Sequence, residues 1–175
     1  PILYEVEASI RTNELLLARK NFESQNKQVK AKLNKLIKED EIIITADTLV
    51  WFENKCLGKP KDKKEAKYML KLFAGKSHDV ITSVGFLTIS NFKVLTESTT
   101  VIYKCLNDSE IDYYVENVNP IDYAGSYGIQ DWIGMIGVEH VNGSYTSVLG
   151  LPIPQERLVS TAPCSMGNAL ILLRR

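Results

Sequence analysis

Cysteine and histidine are scarce in this chain, and neither sign of charge is in surplus. Its 175 residues include three cysteines, Cys56, Cys105 and Cys164, and two histidines, His78 and His140. The cysteines are odd in number, widely spaced and never arranged as Cys-x-x-Cys, which argues against a disulfide framework or a zinc site. A reducing, cytoplasmic setting is the simplest expectation. The 21 basic residues balance 21 acidic ones, giving a formal net charge of zero. Nucleic-acid binders more often carry a basic excess, so no nucleic-acid partner is expected; the locally basic stretch 27–38 is the one feature that would support such a module. No apolar run approaches the length of a membrane span and no signal peptide is visible, so no membrane association is expected. The sequence opens on Pro1 rather than methionine, as expected of an incomplete N-terminus.

What is present is a hydrophobic content of 45%, enough to bury a core in a single domain over residues 1–175. Two helices are read in the first 38 residues, around Leu15, Leu16, Leu17 and Phe22 and then across 29–37. The lysines there alternate with apolar residues at about one helical turn, as on a solvated helix face. A β-branched run, 42–45, and a second apolar run, 49–52, read as two short strands, with a turn at Glu53-Asn54-Lys55. Asp62 and Glu65 have capping-box spacing before a helix whose stripe is Ala66, Met69, Leu70 and Phe73, with Gly75 ending it. Residues 78–89 and 93–104 read as an antiparallel strand pair, and Asn107 caps a helix that ends near Pro120. The glycine-rich aromatic segment 122–137 is too irregular for a plain helix. A strand over 138–141 and a turn at Asn142-Gly143 follow. Strands interleaved with helices make the fold class mixed α/β.

The chemistry concentrates in residues 42–60, IIITADTLVWFENKCLGKP. Asp47, read as the C-terminal end of a strand, can bind Mg²⁺ or accept a proton from an attacking water; in that place an acidic residue is equally an ordinary turn residue. Thr48 can direct a hydroxyl at a substrate, or simply favour a strand. Lys59 is framed by Gly58, which admits close backbone approach, and by Pro60, which stiffens the corner. A lysine so held can offset phosphate charge, although an isolated loop lysine would need no such role. Gly125 and Gly128 fit neither dinucleotide-binding nor P-loop spacing. Gln130 can read a base edge or cap a turn. His78 and His140 have no partners at ligand spacing and read as structural, and Trp51 and Trp132 as packing.

Taken together, ADTLVW (46–51), LGKPKDKKEAKYML (57–70), HDVITSV (78–84), DYAGSYGIQ (122–130) and GSYTSVLGLP (143–152) resemble the Maf (septum-formation) family of nucleoside triphosphate pyrophosphatases. The resemblance runs from about residue 41 to 152, with the blocks in order. It implies an α/β fold with a mixed sheet in two lobes and a nucleotide cleft between them, related to inosine-triphosphate pyrophosphatases. It implies hydrolysis of a nucleoside triphosphate at the α-phosphorus with a divalent metal, Mg²⁺, and it allows a homodimer. By the same resemblance Asp47 is the catalytic proton acceptor and metal-binding carboxylate, and Lys59 faces phosphate. Lys30 matches a second phosphate-facing lysine, one residue short in its spacing to Asp47. Thr48 and Gln130 fall on positions tied to substrate choice and are similar to the branch acting on dTTP and UTP. The family's N-terminal loop, a serine-rich turn with paired arginines, has only a faint echo in residues 10–15. Its DKAG stands here as Asp122-Tyr123-Ala124-Gly125, and the tail from about Gln155 does not resemble its closing helix. Those departures motivate the alternative of a catalytically impaired or vestigial nucleotide-binding protein, a truncated family member.

Overall fold

In the computed structural model, which describes residues 42–88, 90–152 and 169–173, the apolar run that starts at Ile42 does not stop at Asp47. Strand β1 extends unbroken over Ile42–Phe52. This corrects the reading of two short strands, and with it the placing of Asp47 at a strand end. The physical reason is pairing: partners on both sides of Asp47 outweigh the poor strand propensity of aspartate. Glu53 and Asn54 then take φ of 46° and 64°, the left-handed pair that lets a two-residue turn match strand twist. The turn leads into β2 (Lys55–Leu57), antiparallel to β1 with Val50 opposite Leu57 and Phe52 opposite Lys55.

Among the described residues the sheet has four more strands: β3 (Ser77–Leu87), β4 (Phe92–Tyr103), β5 (Val138–Asn142) and β6 (Ala169–Leu173). The order is β2-β1-β3-β4-β5, and β6 pairs with β1 off that path. The β1–β6 pair is parallel, from Ile42 opposite Ala169 to Ala46 opposite Leu173, whereas β4 and β5 are antiparallel. The sheet is therefore mixed, as expected of this fold class. Strands β3 and β4 are joined through Thr88, whose N–H donates to the Asn91 carbonyl at 2.8 Å.

Helix α1 (Lys63–Phe73) starts at Asp62, whose carboxylate accepts the Glu65 N–H at 2.8 Å. Only half of the expected capping box forms, because the Glu65 carboxylate takes the Lys61 N–H at 2.7 Å instead. Its stripe of Ala66, Met69, Leu70 and Phe73 is buried. The full reciprocal box occurs at α2 (Asp108–Val118), between Asn107 and Glu110. Asn119, at φ 55°, and Pro120 end that helix. The two helices are registered by charge. Lysines one turn apart on α1 meet acids one turn apart on α2: Lys63 with Glu116 at 2.7 Å, Lys67 with Asp112 at 2.8 Å and Lys71 with Asp108 at 2.8 Å. Lying at the surface, each pair adds little stability but fixes which residues face one another. Helices α3 (Trp132–Gly137) and α4 (Tyr145–Val148) are short.

Two compact units are distinguished. Among the described residues, 42–47, 83–88, 90–96 and 169–173 belong to one, and 48–82 and 97–152 to the other. In the first, the Ser83 and Thr96 hydroxyls are hydrogen-bonded at 2.8 Å. The second holds the main core, where Val50, Phe52, Leu70, Phe73, Val101, Ile111 and Ile133 are buried together. No helix among the described residues is long and apolar enough to cross a membrane.

Candidate active site

Three sequence blocks meet at one hydroxyl chain within the second unit. The Thr48 and Thr82 hydroxyl oxygens lie 2.9 Å apart, and the Thr82 hydroxyl donates to the Ser147 carbonyl at 2.7 Å. Thr48 comes from ADTLVW, Thr82 from HDVITSV and Ser147 from GSYTSVLGLP. Thr82 and Ser147 are fully buried, and a Cβ on Gly150 would sit 3.5 Å from the Thr48 hydroxyl. Ser144 N-caps α4 by accepting the Ser147 N–H at 3.2 Å, and its carbonyl accepts the Val148 N–H, of the peptide that presents the Ser147 carbonyl, at 3.3 Å. Neither Thr82 nor Ser147 stood out in the sequence: Thr82 falls in the strand read over 78–89 and Ser147 in the stretch after the turn at Asn142-Gly143.

The Lys59 corner is clipped to the DYAGSYGIQ segment. The Gly125 N–H donates to the Gly58 carbonyl at 3.0 Å, and the Lys59 ammonium lies 3.7 Å from the Asp122 carboxylate. Gly125 holds φ at 68°, and a Cβ there would stand 2.8 Å from Val50 Cγ2, so only glycine fits. The Lys59–Asp122 pair is long and well exposed, with side chains 42% and 90% accessible, so it is weak enough to be exchanged for a phosphate contact. Tyr123 follows directly, at the position where the family pattern has lysine.

Gln130 is exposed at the far end of the same segment, in a turn that Tyr114 anchors. The buried Tyr114 hydroxyl accepts the Gly128 N–H at 3.2 Å and donates to Asp131 at 2.8 Å. A Cβ on Gly128 would lie 2.8 Å from the Gln130 side-chain amide, so the bare glycine leaves room for that amide to fold back over the turn. Beneath it, His78 is structural, as expected. Its Nε2 is hydrogen-bonded to the Tyr127 hydroxyl at 2.7 Å and its ring stacks on Phe73 at 4.2 Å. Burial lowers its pKa from 6.5 to about 3, so it stays neutral. His140 lies exposed on β5.

Asp47 sits in mid-strand in β1, half-buried, with Leu49 and Trp51 on its face; Thr48 alternates onto the other face with Ala46, Val50 and Phe52. Lys30 lies outside the described residues. Among those described, no group of three or more His, Cys, Asp or Glu could hold a metal ion. One aspartate is a donor set suited to Mg²⁺ that keeps its waters and the substrate's phosphate oxygens, since Mg²⁺ is commonly held through only one or two carboxylates.

Residues 5–159 match the family of Maf-like proteins. Proteins named dTTP/UTP pyrophosphatase are similar to the chain. That of Flavobacterium johnsoniae is 51% identical over 116 residues, which is 66% of this chain and 60% of the relative. That of Christiangramia forsetii is 52% identical over 116 residues, 66% and 59% of the two chains. That of Bacteroides fragilis is 49% identical over 118 residues, 67% and 61% of the two chains. The chain thus spans about 60% of the length of the curated relatives it matches.

Proposed function

This chain belongs to the Maf family, and we propose that it hydrolyses dTTP or UTP at the α-phosphorus, giving the nucleoside monophosphate and pyrophosphate. The observation that supports this best is the convergence of the ADTLVW, HDVITSV and GSYTSVLGLP blocks on one hydrogen-bonded chain through Thr48. The clip between Gly58 and Gly125 adds to it by bringing a lysine corner to the DYAGSYGIQ segment. Base and triphosphate lie at opposite ends of a nucleotide, so residues that read one need not share a face with residues that act on the other. The alternation of Asp47 and Thr48 along β1 suits that division. The nucleotide cleft, of the kind found in inosine-triphosphate pyrophosphatases, is part of this proposal.

In this reading Asp47 accepts the proton of the attacking water. The water oxygen bonds to the α-phosphorus as the bridge to the β-phosphate breaks, and the electron pair leaves with pyrophosphate. Lys59, with Lys30, offsets charge on the departing phosphates. Asp47 also supplies the one carboxylate for Mg²⁺, which when bound acts as a Lewis acid on the phosphates. Thr48 and Gln130 select the base. Turnover of UTP in heavy-oxygen water tests the bond that is cleaved: the label is expected in UMP. Label in pyrophosphate, or release of orthophosphate as the first product, would place the attack elsewhere and refute the assignment.

A further inference from the structure

The hydroxyl chain has a direction, and the direction carries chemistry. A threonine hydroxyl owns one proton and can accept two hydrogen bonds. The Ser147 carbonyl can only accept, so the proton of Thr82 is committed to it at 2.7 Å. The 2.9 Å contact between Thr48 and Thr82 then has a single polarity, with Thr48 donating and Thr82 accepting. That uses the only proton Thr48 has. Any further partner of the Thr48 oxygen must therefore be a donor. Thr82 and Ser147 are fully buried, so water does not compete for this arrangement. The Ser147 carbonyl also accepts the Gly150 N–H at 2.9 Å, but turning the Thr82 proton away would leave two oxygens facing each other at 2.7 Å with no proton between them.

We propose that Thr82 is a positioning residue for base selection. By taking the Thr48 proton, it leaves the Thr48 oxygen able only to accept, the polarity that suits the ring N3–H of uracil or thymine and opposes the bare N3 of cytosine. This rests on the reading of Thr48 as a base-selecting residue and adds the group that sets its sense. A threonine at position 48 would not discriminate alone, because a freely rotating hydroxyl could turn its proton toward cytosine N3. Discrimination comes from the buried anchor behind it, which runs from β1 through β3 to α4.

The test compares binding of the non-hydrolysable α,β-methylene analogues of UTP and CTP by calorimetry, in the full chain and in Thr82→Ser and Thr82→Val, with melting followed alongside. The intact chain and Thr82→Ser, which keep the hydroxyl, are expected to favour the uridine analogue. Thr82→Val keeps the shape but frees the Thr48 proton, and is expected to lose roughly ten-fold of that preference or more, as cytidine binding improves. If the valine variant does not fold, Thr82→Ala, which also removes the acceptor of the Thr48 proton, takes its place. An unchanged uridine-to-cytidine ratio in a folded variant that lacks a side-chain acceptor at position 82 would overturn the proposal. So would an intact chain that binds both analogues equally, or neither. Preferential uridine binding without pyrophosphate release from UTP would leave the role of Thr82 standing and refute the catalytic reading instead.

Discussion

Replacing Gly125 by alanine tests how the DYAGSYGIQ segment is held. The left-handed backbone at φ 68° costs an alanine about 1–2 kcal/mol. The added methyl would stand 2.8 Å from Val50 Cγ2 and 3.3 Å from Phe73 Cε2, inside a fully buried region, and overpacking of that kind costs about 1–3 kcal/mol. Loss of unfolded-state freedom returns about 0.4–1 kcal/mol. The net destabilisation is therefore about 1–5 kcal/mol, a large part of an ordinary domain's 5–15 kcal/mol or so. Gly58→Ala is the matched control, because a Cβ there meets nothing within 4 Å and the Gly58 carbonyl still accepts from Gly125. Urea unfolding of the two variants and the parent measures the difference as a shift in midpoint at constant slope. If Gly125→Ala unfolds at the same midpoint as Gly58→Ala, the backbone conformation and close packing assigned to Gly125 are wrong.

Two further predictions concern the buried aromatic cluster. His78 has a pKa lowered by burial to about 3, against 6.5 in the unfolded chain. Only the unfolded state takes up a proton as pH falls below about 6.5, so the stability held by neutral His78 is complete above that pH and is lost progressively towards pH 3. Between pH 6.5 and 4.5 this amounts to about 2–3 kcal/mol, and the slope is expected to vanish in His78→Leu; an equal slope in that variant would show that other groups cause it. The Tyr103 hydroxyl is buried with no hydrogen-bond partner among the described residues. Tyr103→Phe is accordingly expected to be neutral or to stabilise by about 1 kcal/mol in thermal unfolding, whereas a clear loss would reveal a partner for that hydroxyl.

Local chemistry made part of this fold legible in the sequence. The stripe of α1 and the caps at Asp62 and Asn107 depend on residues within a turn or two of each other, and the structure has them. The continuity of β1 was not legible, because it depends on β6, far along the chain, and Asp47 alone looks like a turn residue. The lysines at 63, 67 and 71 showed helical period but not the acids that would face them. The motif blocks marked Asp47, Thr48, Lys59 and Gln130 as candidates, whereas Thr82 and Ser147, which the structure links to Thr48, had no such mark. A threonine in a β-branched strand carries no local mark of the carbonyl that will take its proton. That contact spans from β3 to α4, and only the folded chain creates it.

The central claim is that Asp47 drives attack of water on the α-phosphorus of dTTP or UTP. Its most direct test is the rate of pyrophosphate release from UTP by the full chain and by Asp47→Asn, with calorimetric binding of the uridine analogue as the check that the site is intact. The substitution keeps size and hydrogen bonding but removes the base, so the account predicts a loss of at least about 100-fold in rate with binding retained. Equal turnover by Asp47→Asn would contradict it.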